Sequence, residues 1–208
     1  MSDYKYYAGL DVSQKSTSIC VVDGKGKLIC EGASLTRPND IYGWLNNRFD
    51  LSEPIRVGLE AGNMSSWLFT ALHKRGLEMA CMETFQAHRF LATYRNKTDK
   101  NDARGLAQLL RMGGDDFLKL VTVRSQASQE TRTLLTMRDH LIQQKVKLEN
   151  HISGVLKPFG LVVARGNIAP QTFYDRVVDA LALAEDRNIH IKRIVMPSLL
   201  LYLDTCKI

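Results

Sequence analysis

Four carboxylates in three short contexts have the residue types and the spacing that could do chemistry. Asp11 follows Tyr-Ala-Gly-Leu, Glu60 lies in Val-Gly-Leu-Glu-Ala-Gly, and Asp99 and Asp102 lie in Lys-Thr-Asp-Lys-Asn-Asp-Ala. Clustered carboxylates repel one another unless a cation neutralises them. Mg²⁺ binds through oxygen ligands, and two such ions about 4 Å apart activate a nucleophilic oxygen and stabilise the leaving oxygen of a phosphodiester. The four residues therefore predict a Mg²⁺ site, which Mn²⁺ can also occupy, for phosphoryl transfer on a nucleic-acid backbone.

Each of these residues, taken singly, also has a purely structural explanation. Asp11 could form a turn, and Glu60 could be the solvated end of a strand. Asp99 could cap a helix with Asp102 at its third position, where the helix dipole favours negative charge. The joint placement favours the metal hypothesis, because two carboxylates end apolar strands and two lie three residues apart on one helix face.

The length and charge restrict the class of protein. A chain of 208 residues accommodates one α/β domain and a helical extension. The net charge of +6 suits a polyanionic partner, since lysine and arginine displace condensed counterions from nucleic acid. No run of about 18 apolar residues predicts a membrane span, and no signal peptide precedes the first strand, so we expect a cytoplasmic protein. The four cysteines lack paired metal-ligand spacing and are expected to be reduced.

The elements that must position the carboxylates follow from hydrophobic periodicity. Strands are predicted at 4–12, 17–23, 28–35, 55–60 and 77–82, with helices beginning at Pro38 and spanning about 65–74 and 86–91. The first three strands are joined too closely for crossover helices and must form an antiparallel meander. This order predicts an α/β fold, a ribonuclease H-like mixed five-stranded sheet with flanking helices.

A long helix is predicted from Ser125 to Lys157. Leucine or valine recurs every seven residues along it, at Leu134, Leu141, Leu148 and Val155. This spacing is typical of a coiled coil or helical hairpin, although a helix packed along its own domain is the alternative. Two further helices are expected at 171–184 and about 189–203.

The sequence resembles the DEDD transposases of insertion sequences, which include the Piv-type DNA invertases and the bridge-RNA-guided recombinases. The resemblance depends on the three acidic motifs, of which Lys97-Thr-Asp-Lys-Asn-Asp-Ala103 is the most specific, and it continues through the long helix into Leu156-Lys-Pro-Phe-Gly-Leu. It implies a RuvC-like catalytic domain over residues 1–120 whose catalytic and metal-binding residues are Asp11, Glu60, Asp99 and Asp102.

The resemblance also implies an assembly segment over residues 121–208 that joins protomers into a dimer or tetramer. A further domain with a nucleophilic serine is expected beyond this chain, because none of its serines has the expected downstream context. The implied partners are DNA and a structured guide RNA, and the implied location is the prokaryotic nucleoid.

Cations around the last motif are the candidates for nucleic-acid binding. Of the aromatic residues only Tyr94 is selected for base stacking, because it lies among arginine and lysine. The predicted nucleic-acid-binding residues are Arg89, Tyr94, Arg95, Lys97, Lys100 and Arg104.

Two other functions are compatible with the sequence. The first is an ATP-dependent phosphotransferase of the actin-like superfamily, since Asp11-Val-Ser-Gln-Lys-Ser-Thr17 partly matches its first phosphate loop. That segment lacks the glycine that lets backbone amides approach a phosphate. The second is a non-catalytic scaffold that only binds nucleic acid and assembles. Calorimetry of nucleotide binding tests the first function, and substitution of Asp11 and Glu60 by alanine separates the second from a metal-dependent transposase.

Overall fold

The computed structural model describes residues 4–51, 53–92, 98–164, 166 and 168–207. The chain divides into two compact units, Met1–Arg124 and Ser125–Ile208.

A five-stranded mixed sheet forms the centre of the first unit. Its strands are β1 (Tyr6–Val12), β2 (Ser16–Asp23), β3 (Leu28–Leu35), β4 (Ile55–Glu60) and β5 (Glu78–Met82). They are ordered β3-β2-β1-β4-β5, with β1 to β3 antiparallel and with β4 parallel to both β1 and β5. This topology confirms the predicted mixed five-stranded sheet of the ribonuclease H-like order.

Helices cover both faces of this sheet. They are α1 (Pro38–Asn46), α2 (Ser65–His73), α3 (Thr84–Leu91) and α4 (Asp99–Phe117). One core contains Leu10 of β1 with Leu45 of α1 and Leu68 of α2. The other contains Tyr7 of β1 with Leu106 of α4. Because successive side chains of a strand point to opposite faces, odd-numbered residues of β1 are directed toward α4.

Three helices and a short 3₁₀ turn form the second unit. They are α5 (Gln126–Leu156), the turn Lys157–Phe159, α6 (Pro170–Asp186) and α7 (Lys192–Cys206). The core joins Leu156 of α5 to Phe173 of α6 and Leu199 of α7. A buried hydrogen bond of 2.9 Å, donated by the Tyr202 hydroxyl to Glu149 Oε1, links α7 to α5. Within the described residues, no helix is both long enough and apolar enough to cross a membrane.

The heptad positions of α5 divide into two groups. Leu148 and Val155 pack against the core of the second unit, as the alternative of a helix packed on its own domain predicts. Leu134 is 72% exposed and Leu135 is 57% exposed. The amino-terminal half of α5 thus presents apolar side chains at its surface, and its pairing with a second helix stays a prediction.

Candidate functional site

Asp11 and Glu60 occupy adjacent positions at the carboxyl ends of two neighbouring strands. The parallel register of β1 and β4 runs to the pair Leu10 and Leu59, so that Asp11 and Glu60 are the next residues on each strand. Neighbouring strands lie about 4.8 Å apart. Since Leu10 and Leu59 belong to the core under α1 and α2, the residues that follow them are directed to the other face, toward α4.

Asp99 and Asp102 lie in the first turn of α4. The residue that caps this helix is Thr98, whose hydroxyl accepts a hydrogen bond of 3.2 Å from the Asn101 backbone N–H. The alternative in which Asp99 caps the helix is therefore wrong. Asp99 is the first helical residue and Asp102 lies one turn further on the same side, so both are available to a ligand at the sheet edge.

Two glycines allow α4 to lie directly on the strands that carry Asp11 and Glu60. A Cβ atom at Gly9 would come within 3.0 Å of the Leu106 carbonyl carbon and closer still to backbone atoms of Ala103 and Ala107. A Cβ at Gly58 would lie 2.9 Å from Leu110 Cδ2. The absence of these two side chains brings the first turn of α4 toward the strand ends.

The four predicted carboxylate residues line one cavity of about 620 Å³, together with Ser13, His88, Leu91 and Ala92. Within the described residues, however, no three histidine, cysteine, aspartate or glutamate side chains are close enough to hold a metal ion as they stand. The donor chemistry fits Mg²⁺, because four carboxylates supply the oxygen ligands that this ion prefers. Ligation would require the carboxylates to move closer together, and a bound cation would offset the repulsion among them.

Two of the predicted nucleic-acid-binding cations are paired within the protein. Glu31 of β3 accepts a salt bridge of 2.5 Å from Lys100 and one of 3.1 Å from Arg104. The hydrogen bond from Lys100 is the main cause of a lowered pKa at Glu31. Both cations thus anchor α4 to β3, and part of their charge is neutralised there.

Of the four remaining residues predicted to bind nucleic acid, the structure describes one, Arg89. The guanidinium of Arg89 lies 5.3 Å from the centroid of the Phe85 ring. Tyr94, Arg95 and Lys97 lie outside the described residues.

The sequence matches the family model of the IS110-type DEDD transposase, described as "Transposase", over residues 8–160. The chain belongs to this transposase family. It is 27% identical over 182 residues to the transposase for insertion sequence element IS1111A of Coxiella burnetii, a match that covers 88% of this chain and 46% of that protein. It is 27% identical over 137 residues to the putative transposase y4pF/y4sB of Sinorhizobium fredii, covering 66% of this chain and 34% of the relative. The chain thus spans less than half the length of these curated relatives.

Two solved structures are also similar. The Thermus thermophilus RuvC structure matches with a TM-score of 0.39 and 17% identity, covering 56% of this chain and 99% of that chain. The structure of T. thermophilus RuvC in complex with a Holliday junction substrate matches with a TM-score of 0.38 and 15% identity, covering 57% and 100%.

Several residues that build or border this candidate site were not among the predicted site residues. Thr98 carried a recognisable signal, since threonine immediately before a helix is a common cap. Gly9 and Gly58 carried a weaker one, because glycine inside a strand often marks a close backbone approach. His88 could be a ligand by its residue type but was not selected, because it is an isolated histidine. Glu31 carried no signal, since its partners Lys100 and Arg104 are distant in sequence.

Proposed function

We propose that this chain supplies the metal-binding part of a DNA transposase that cleaves and exchanges DNA strands in a Mg²⁺-dependent reaction. The observation that carries the proposal is the convergence of Asp11, Glu60, Asp99 and Asp102 on one cavity. Structural explanations that treat each carboxylate alone give no reason for four of them to share one concave surface. Family membership supports the same reaction class.

In this proposal the sheet holds two of the carboxylates and α4 holds the other two. Asp11 and Glu60 are held by the sheet, where β1 and β4 are buried on both faces. Asp99 and Asp102 are held by α4, whose first turn is fixed by the Thr98 cap. The bound Mg²⁺, or Mn²⁺ in its place, would activate the attacking oxygen and stabilise the leaving oxygen of the phosphodiester. The protein's part is to supply oxygen ligands from two rigid elements, so that the scissile phosphate is aligned before reaction.

The experiment that tests the site compares Asp11→Asn and Glu60→Gln with Glu53→Gln in the full chain. Glu53 is a matched control, because its exposed carboxylate pairs with Lys5 at 3.0 Å and does not line the cavity. Mn²⁺ binding is followed by electron paramagnetic resonance. We expect the two site variants to lose at least tenfold in Mn²⁺ affinity and the control to keep it. Unchanged Mn²⁺ binding in both site variants would refute the metal site.

The same variants test the reaction. Mg²⁺-dependent strand cleavage or exchange is measured with the intact transposase that carries this chain, since the matches cover only 46% and 34% of the curated relatives. We propose that residues 1–120 are the catalytic domain and that a further, serine-bearing domain completes the activity. Cleavage that survives Asp11→Asn would show that the carboxylates are not catalytic.

Assembly is proposed to occur through the amino-terminal half of α5, within the helical segment 121–208. The support is its apolar surface, in which Leu134 is 72% exposed and Ile142 is 43% exposed. Light scattering should show a dimer or tetramer that Leu134→Lys dissociates. Val162→Lys is the control, because Val162 is 81% exposed but lies outside the helix. A monomeric starting protein, or an oligomer unaffected by Leu134→Lys, would contradict this interface.

The partners proposed are DNA and a structured guide RNA, in the prokaryotic cytoplasm at the nucleoid. The net charge of +6 supports a polyanionic partner but does not distinguish the two. Isolation of the intact protein from its own host, followed by sequencing of co-purified RNA, tests the guide. Recovery of one structured RNA species is expected. Full recombination by protein freed of RNA would exclude guidance.

A non-catalytic scaffold is the second candidate. It is favoured by the spacing of the carboxylates, since no three acidic or other ligating side chains within the described residues are close enough to hold an ion as they stand. The Mn²⁺ titration separates the two candidates. A scaffold would bind DNA normally while showing no Mn²⁺ site that depends on Asp11 or Glu60.

A further inference from the structure

A second cavity lies beside the carboxylate cavity, on a different face of α3. Its volume is about 340 Å³, and α3 contributes Phe85, Gln86, Arg89 and Phe90 to its wall. The carboxylate cavity uses His88 and the residues after it instead. At 100° per residue the two sets project from separate sides of this short helix. A nucleic-acid strand that leaves one cavity therefore needs to cross only the width of a single helix to reach the other.

Aromatic rings are unusually exposed at this second cavity. Phe117 is 73% exposed and Phe85 is 66% exposed, which makes them the two most exposed aromatic side chains among the described residues. Most of the surface of each side chain is thus open to solvent, and exposed apolar surface of this kind commonly marks an interaction site. Flat faces of this size match a nucleic-acid base, which stacks on aromatic rings whatever its identity.

The charges around the rings favour an anion. Arg89 lies over the Phe85 ring at 5.3 Å, and Lys119 also lines the cavity. Among the described residues that line the cavity, the one carboxylate is that of Glu83, which accepts hydrogen bonds of 3.0 and 2.8 Å from the backbone N–H groups of Phe85 and Gln86. These bonds are the main cause of its lowered pKa. The two cations are thus placed to contact a phosphate beside a stacked base.

Hydrogen bonds fix the two walls of the cavity relative to each other. The Gln86 side chain donates to the Phe117 carbonyl at 3.0 Å and accepts from the Lys119 backbone N–H at 2.7 Å. The Glu83 backbone N–H donates to the Lys119 carbonyl at 3.0 Å. The rings and cations are therefore carried by a preorganised backbone, which lowers the entropy lost when a ligand binds.

We propose that this cavity binds one unpaired nucleotide of a DNA strand, with its base stacked on Phe85 or Phe117 and its phosphate contacted by Arg89 or Lys119. A nucleotide explains the combination of exposed aromatic rings with two nearby cations better than a protein partner does. DNA is chosen over RNA because the neighbouring carboxylate cavity is the proposed site of DNA cleavage. The inference thus rests on the proposed function and names a substrate contact for it.

The test measures binding of the full chain to fluorescent oligonucleotides by anisotropy. At least one of Phe85→Ala and Phe117→Ala should weaken binding of single-stranded DNA about tenfold and leave duplex DNA unaffected, because only unpaired bases expose their faces. Phe85→Trp should retain binding, since it keeps an aromatic face. Lys119→Gln should lower the salt dependence by about one counterion. Leu35→Ala is the control, because Leu35 is 53% exposed in the same unit but does not line the cavity.

Failure of this inference is distinguishable from failure of the proposed function. Mn²⁺ binding at the carboxylates should be unchanged in Phe85→Ala and Phe117→Ala, while Asp11→Asn should keep its affinity for single-stranded DNA. If neither phenylalanine variant weakens single-stranded DNA binding while Mn²⁺ binding is intact, the nucleotide site is wrong and the metal site stands. An equal loss for duplex DNA, or a loss confined to an RNA oligonucleotide, would also overturn the assignment to an unpaired DNA nucleotide.

Discussion

Substitution of Gly9 by alanine should damage the site without touching any of its carboxylates. Gly9 lies in β1 under α4, and its added Cβ would meet backbone atoms of Ala103, Leu106 and Ala107. Backbone atoms of a helix cannot rotate away as a side chain does. The methyl group can be accommodated only if α4 and β1 separate.

The size of the effect follows from the contact distances. The Cβ would lie 3.0 Å from the Leu106 carbonyl carbon and closer to two other atoms, whereas carbon atoms pack best at about 3.5–4.0 Å. A displacement of about 1 Å is therefore needed. Overpacking of this kind costs about 1–3 kcal/mol, and we expect the upper end because the obstacle is backbone. Since α4 carries Asp99 and Asp102, a shift of about 1 Å should also lower Mg²⁺-dependent cleavage by about 100-fold.

The assay is urea denaturation followed by tryptophan fluorescence. Both tryptophans, Trp44 and Trp67, lie in the first unit, so that the signal reports on the unit that contains the substitution. Two alanine variants give a graded comparison. Gly58→Ala meets the ends of flexible Leu110 and Met82 side chains and should cost less than Gly9→Ala. At Gly43 of α1, an added Cβ has no neighbour within 4 Å, and alanine should stabilise the unit by about 0.5–1 kcal/mol.

The order of these three variants is the decisive result. If Gly9→Ala unfolds at the same urea concentration as the unsubstituted chain, the close contact of α4 with β1 does not exist. If Gly9→Ala is destabilised but binds Mn²⁺ as tightly as Gly43→Ala, α4 does not position ligands, and the role given to its first turn is refuted.

Three further predictions concern single interactions. Thr98→Ala removes the cap of α4 and should lower the free energy of unfolding by about 1 kcal/mol in urea, whereas Thr98→Ser should restore it; equal stability of all three proteins would exclude the cap. Tyr202→Phe leaves the buried Glu149 carboxylate without its hydroxyl donor and should cost about 1.5–3 kcal/mol, measured by circular dichroism of the helices, and a cost near zero would contradict the buried bond. Burial raises the pKa of the Cys20 thiol to about 11 from an ordinary 9.0, so native Cys20 should resist a thiol reagent at pH 8 until urea unfolds the chain. The unfolded chain loses this proton first, and the contribution of Cys20 to stability should therefore decline between about pH 9 and pH 11; prompt labelling of the native thiol would refute its burial.

The local sequence pattern was enough to predict the strands of the sheet and most of the helices. The turn Asp23-Gly-Lys-Gly is too short for a crossover, so β2 and β3 had to be antiparallel, and hydrophobic periodicity located α6 and α7 to within a few residues. One alternative placed Asp99 at the cap of α4, but Thr98 caps this helix; local pattern does not separate the two, because aspartate and threonine are both good caps and are adjacent here. The heptad positions of α5 were also ambiguous, since an apolar stripe does not specify whether it packs on its own unit or on another helix.

The amino-acid sequence by itself determined the ribonuclease H-like order of elements, the four carboxylate positions and the resemblance to DEDD transposases, because these depend on residues close together in the chain. Tertiary structure alone decided which distant residues meet. It placed Asp11 beside Glu60 through the register of β1 and β4, and it paired Lys100 and Arg104 with Glu31. The register of strands that are distant in sequence, like the docking of a helix, arises from packing summed over the whole unit and not from the geometry of a short turn.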